Sequence, residues 1–138
     1  MKLEDQVCSL ELAQKLKELG VKQESLFIWS YYPHVDSYHP MPEFNQLNDG
    51  EEQNGLNISA FTVAELGEML PFSIKFQKHI CYLTCEKNIP DYGGWICKYE
   101  SSDIIRPTEA TEIFTANTEA DARAKMLIYL MENKLITL

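Results

Sequence analysis

The sequence predicts an α+β domain: a small antiparallel sheet of three or more strands with about three helices, the C-terminal one packed on the sheet. Two observations carry this. Capped helical patterns stand near residues 9–20, 62–71 and 118–133, and alternation of period two fills most of the second half between them. The chain has 138 residues, which suits a single domain spanning 1–138. At that length roughly two thirds of the unfolded surface can be buried, so a core forms without staples.

In the first helix Ser9 is placed to act as N-cap and Gly20 to end the helix in a left-handed turn. Leu12, Ala13, Leu16 and Leu19 make one apolar stripe, and Glu11 precedes Lys15 by four residues on the wet face. Residues 26–32 (LFIWSYY) read as a strand rich in aromatics. Only Ser30 is small and polar there, so cover is expected on both faces. From 33 to 57 the pattern is lost among three prolines, two glycines and four asparagines. The expectation is a long irregular surface excursion. Thr62 and Glu65 then form a capping box, with Phe61 and Leu66 as its hydrophobic staple, and Pro71 closes that helix. Gly67 inside it costs about 1 kcal/mol against alanine, which points to close packing at that position.

Residues 72–76 read as a short strand and 79–85 as a longer one. The longer strand sets His79, Cys81, Leu83 and Cys85 against Ile80, Tyr82 and Thr84. After a turn with Pro90, Asp91, Gly93 and Gly94, residues 95–100 set Trp95, Cys97 and Tyr99 against Lys98 and Glu100. Another strand is expected over 111–116. Thr118 caps the last helix, with Glu119 and Asp121 in the first turn, where the helix dipole favours acids. Its stripe is Ala120, Ala124, Leu127, Ile128 and Met131. Residues 126–131 are apolar all round, so this helix should be covered on more than one side. Asn133 is placed to supply a left-handed end, and 135–138 to add an edge strand.

Charge is unevenly spread. The formal net charge is −9, yet between Gln23 and Ile74 there are eight acids and no lysine or arginine, leaving about −1 for the rest. Such a segment opposes phosphate binding and suits a basic partner, so direct nucleic-acid binding is not expected. No run approaches the roughly 20 apolar residues that span a bilayer. The acidic start lacks an apolar leader core, so the expectation is no membrane and a cytoplasmic location with reduced cysteines.

Two metal-like sets stand out. His79, Cys81, Cys85 and Cys97 offer soft ligands, but Cys-x3-Cys on a strand puts its sulfurs about 13 Å apart. Cys85 and Cys97 can meet across a hairpin, which supplies only two ligands. Reduced core thiols are the expectation. His34, Asp36 and His39 offer imidazole, carboxylate and imidazole, but on a loop, and a solvated turn is expected. The run 48–52 resembles a calcium loop only in composition. Trp29, Tyr31, Tyr32 and Tyr38 are read as core rather than as a stacking platform. There is no phosphate loop, nucleophile elbow or His-Glu-x-x-His helix, so no catalytic residue, cofactor or metal is predicted. The interaction-surface candidates are Glu43, Asp49, Glu51 and Glu52 from the acidic segment, with Tyr129 and Met131 from the last helix.

Three stretches carry a resemblance: VCSLELAQKLKELGVKQESLFIW (7–29), AFTVAELGEMLP (60–71) and ANTEADARAKMLIYLMENKLI (116–136). Together they resemble small uncharacterised proteins encoded by phages, prophages and gut bacteria of the Bacteroides type. The resemblance implies a mobile-element origin and an accessory role, with no activity and no site residue to transfer. The leading expectation is therefore a non-enzymatic module that binds another protein, with a homodimer through 126–131 as a linked idea. A second is an acidic nucleic-acid mimic that occupies a basic groove of a host protein. A third is a small enzyme with a non-standard site drawing on Asp36, His34 or His79.

Overall fold

The structure, a computed structural model, describes residues 1–43, 58–87, 93–102 and 112–138. Asp49, Glu51 and Glu52 therefore lie outside the described residues, as do the run 48–52 and Pro90 and Asp91. Among the described residues the architecture is α+β, with three α-helices and two antiparallel sheets.

After a 3-10 turn at Leu3–Asp5, helix α1 runs over Leu10–Glu18. Its end matches the expected glycine stop. Gly20 takes φ +89, its N–H donates to Lys17 O at 3.0 Å, and the Val21 N–H reaches back to Leu16 O at 3.1 Å. Its start differs, because the Ser9 hydroxyl makes no capping bond. Instead the Ser9 backbone N–H donates to Asp121 Oδ1 at 2.7 Å, tying α1 to the last helix.

Strand β1 (Phe27–Tyr32) lies in the middle of the first sheet, between β2 (Ser37–Pro42) and β3 (Ile58–Ser59). Ile28, Trp29 and Ser30 are buried in succession, so both faces of β1 are covered as expected. Strand β2 corrects the first part of the expected irregular excursion over 33–57, because Ser37–Pro42 pair with β1 from Tyr32↔Ser37 to Phe27↔Pro42, while 44–57 lie outside the described residues. Prolines at 40 and 42 hid the strand. The Glu43 N–H donates to Leu26 O at 3.0 Å, so the odd-numbered residues of this ladder point their N–H groups at β1. Pro40 and Pro42 fall on the alternate positions of an edge strand, where the missing N–H is not needed. Asp36 takes the positive φ of +49 that the hairpin turn demands.

Helix α2 (Val63–Met69) starts with the predicted capping box. Phe61 and Leu66 are both buried in the core. Gly67 is tightly approached, since a Cβ there would sit 2.9 Å from the Arg123 guanidinium. The second sheet is a meander in the order β4 (Ser73–Phe76), β5 (His79–Lys87), β6 (Trp95–Ser101), β7 (Phe114–Ala116). Helix α3 (Glu119–Glu132) packs on β5, β6 and β7 and also touches α1 and α2. Ala120, Ala122, Ala124, Met126, Leu127 and Leu130 of α3 are each at most 1% exposed. The all-round apolar run is thus covered within one chain, and no second copy is needed to account for it.

Two details at the C-terminal end depart from expectation. Asn133 keeps φ −89 and uses its side-chain amide to donate to Tyr129 O at 2.9 Å. Lys134, one residue later, takes φ +55, and the Leu135 N–H closes the turn on Leu130 O at 2.8 Å. Residues 135–138 join no strand.

Glu65 joins the first sheet to α2. Its Oε2 accepts from the Thr62 N–H (2.7 Å), the Thr62 hydroxyl (2.9 Å) and the Ser25 hydroxyl (3.0 Å), and its Oε1 from the Leu26 N–H (2.9 Å). Partial burial pushes this carboxyl up, but the hydrogen bonds from Thr62, Leu26 and Ser25 outweigh it and hold it below its ordinary value of 4.5. The resulting stability is present above that value and is lost as pH falls through the depressed one. Glu65→Ala should lower the unfolding free energy by about 2–3 kcal/mol, read as a urea midpoint at neutral pH. The gap between wild type and Glu65→Gln should shrink below about pH 4.

Glycines 93 and 94 allow a second, paired test. Both take positive φ, +58 and +88. A Cβ on Gly94 would meet Ala116 O at 2.3 Å, whereas one on Gly93 meets nothing within 4 Å. Gly94→Ala should therefore cost about 2–4 kcal/mol and Gly93→Ala only about 1 kcal/mol, measured by thermal or urea unfolding.

Candidate functional site

Helices α1 and α3 run side by side in the same direction. Ser9 before α1 meets Asp121 in the first turn of α3, and Lys15 Nζ meets Glu132 Oε1 at 3.1 Å near the other end. Between them opens a groove of about 580 Å³. Helix α3 contributes Lys125, Ile128, Tyr129 and Glu132, which recur at helical spacing on one face. Helix α1 contributes Glu11, Lys15 and Glu18 by the same rule, with Leu12 beside them. The third wall is Glu112 and Phe114, leading into and forming the start of β7.

The floor is apolar. Phe114 and Tyr129 meet with ring centroids 5.4 Å apart, tilted at 54°, and Leu12 and Ile128 complete it. The rim is acidic: four carboxylates (Glu11, Glu18, Glu112, Glu132) against two ammonium groups (Lys15, Lys125), a balance of −2. Both cations already have partners. Lys125 Nζ donates to Thr115 O at 2.9 Å, and Lys15 is held by Glu132, each side chain 45% exposed. An exposed pair of this kind is worth about 0–1 kcal/mol, so an incoming cation can displace it.

The predicted site residues do not converge. Asp36 accepts from the Tyr31 hydroxyl. His39 bonds Ser37 Oγ at 2.7 Å and Glu4 Oε1 at 3.3 Å, while His34 sits exposed on the β1–β2 turn. Among the described residues no three His, Cys, Asp or Glu side chains gather as a metal site. Two further clefts measure about 400 and 680 Å³, and none of His34, Asp36 and His79 lines any of the three. Glu43 is exposed at the end of β2. Tyr129 lines the groove, whereas Met131 is half-buried against the core. Of the four aromatics read as core, only Trp29 is buried, donating its indole N–H to Cys8 O at 3.2 Å. Tyr31 and Tyr38 are cross-strand neighbours 5.2 Å apart, and Tyr32 sets an edge on His39.

The cysteines fall into two kinds. Cys8 and Cys81 are buried singly, and burial pushes the Cys8 thiol up to about 12. Cys85 and Cys97 are register partners with Sγ atoms 2.9 Å apart. The Cys97 thiol holds the Cys85 thiol below its ordinary value by hydrogen bonding, against burial and helped by Arg123, while Cys97 is pushed up by that bond and by burial.

Sequence reasoning missed Glu11, Glu18, Glu112 and Glu132, because the acids drew attention only where bases were absent. On α1 the pattern Glu11, Lys15, Glu18 reads as an ordinary wet helix face. Only the pairing of α1 with α3 makes it one wall of a groove. The chain matches no family model, no curated protein and no solved structure.

Proposed function

We propose that the chain is a non-enzymatic protein-binding module, and that the groove between α1 and α3 takes a basic segment of its partner. The observation that carries this reading is the combination of an apolar floor with an acidic rim whose own cations are weakly held. An aliphatic or aromatic side chain would fill the space over Phe114 and Tyr129. A flanking arginine would find several carboxylates, which it can engage through two parallel N–H bonds. A net charge of −9 would steer such a partner toward the protein. The three segments resembling phage and prophage proteins support an accessory role on a mobile element, acting in the cytoplasm.

The mimic reading is less well supported. Of the eight acids in 23–74, Glu65 is occupied inside the fold and Asp36 by Tyr31. Among the described residues, none of the three clefts gathers the residues of the enzyme reading.

The reading is tested by titrating labelled protein with two short peptides. One sets arginines around a central leucine, and the other replaces each arginine by glutamate. Amide shifts should move along α1, α3 and β7 with the first peptide only, and should weaken with added salt. Tyr129→Ala and the double change Glu11→Lys, Glu112→Lys should each weaken binding by about tenfold or more. Equal responses to both peptides, or shifts centred elsewhere, would reject the groove.

A further inference from the structure

We propose that Cys85 and Cys97 form a reversible dithiol–disulfide site that is oxidised by exchange with a small-molecule disulfide. The two residues face each other across the β5–β6 ladder, and their sulfurs stand 2.9 Å apart. A disulfide bond is about 2.05 Å, so closure asks for a sulfur movement of under an ångström. The other two cysteines lie at separate buried positions of the core, each without such a neighbour in the described thiols.

The surroundings divide the roles of the two sulfurs. Cys97 is fully buried, whereas Cys85 is partly exposed. Arg123 on α3 brings positive charge to the pair, and is itself held by Glu119 at 2.6 Å. The hydrogen bond from Cys97 favours the thiolate on Cys85 rather than on itself. The next rung on the same face is Lys87↔Trp95. Both of those residues line a cleft of about 680 Å³ that also reaches Glu119. A small disulfide entering that cleft arrives one rung from Cys85. The exposed sulfur is thus the attacking one, and the buried sulfur is the resolving one.

The chemistry balances in two exchanges. The Cys85 thiolate attacks one sulfur of RS–SR, forming Cys85–S–SR and releasing RS⁻, which takes a proton from water. Cys97 then attacks Cys85 Sγ, the Cys85–SR bond breaks, and the second RS⁻ leaves with the Cys97 proton. Two protein thiols are oxidised, one small disulfide is reduced to two thiols, and reversal restores the dithiol. In a reducing compartment the site rests as the dithiol, and it closes when the disulfide pool rises.

The test uses the full chain, reduced and freed of reductant, with oxidised glutathione as the probe. After incubation the protein is unfolded in acid, alkylated with a maleimide and weighed by mass spectrometry. Two of the four thiols should be lost to alkylation, a digest should join the Cys85 and Cys97 peptides, and dithiothreitol should restore both. Four alkylatable thiols, a wild-type product that stops at one glutathione adduct, or a link through Cys8 or Cys81 would overturn the proposal. Cys97→Ser should trap one glutathione on Cys85. Cys85→Ser should leave Cys97 reacting at least about tenfold more slowly than Cys85 does in the wild type. A folded Cys97→Ser protein that gains no adduct would overturn the assignment of Cys85 as the attacking sulfur.

Discussion

A single carboxylate fixes how the first sheet and helix α2 meet. Glu65 completes the first turn of α2 through Thr62 and, with the same two oxygens, holds Ser25 and Leu26 at the entrance to β1. Four donors converge on it, none of them a cation. The charge is therefore neutralised by oriented N–H and O–H dipoles, which is an arrangement that works only if all the donors stay in place. Backbone bonds around it follow the same seam. The Cys8 N–H reaches Phe61 O at 2.9 Å, the Val63 N–H reaches Gln6 O at 3.2 Å, and the Ala60 N–H reaches Phe27 O at 2.8 Å. The start of the chain, β1 and the start of α2 are thereby one hydrogen-bonded knot beneath the helices.

That knot changes the meaning of the charge pattern. A stretch with eight acids and no bases reads as one negative surface. Yet Glu65 is spent on the fold, and Asp36 is engaged by Tyr31 across its own hairpin. Exposed negative potential comes also from outside the stretch, where Glu11, Glu18, Glu112 and Glu132 surround the groove. Sequence position is a poor guide to field because helices at opposite ends of the chain lie together here.

What was legible was local. The capping box, the glycine stop of α1, the alternation of β5 and β6 and the capped α3 all rest on contacts within a few residues, and each was read at nearly its true place. Strand β2 was not legible, because proline marks a break unless one knows that the strand lies at an edge with those positions turned outward. Strand β3 has two residues and no pattern to show. The division of the strands into two sheets is likewise a long-range fact. The groove was half legible: Tyr129 stood out, while its partners on α1 lie more than a hundred residues earlier in the chain.

Helix α3 explains why so many roles fall near one element. Its buried stripe is built from alanines along the first half, which lets the helix sit close to the sheet. Close approach brings Arg123 over Gly67 and toward the paired thiols. Further along, Lys125, Ile128, Tyr129 and Glu132 line the groove shared with α1. The proposed redox pair and the proposed docking groove thus lie beside different faces of one helix, because Glu119 and Arg123 recur at four-residue spacing on one face and Lys125, Ile128, Tyr129 and Glu132 on another.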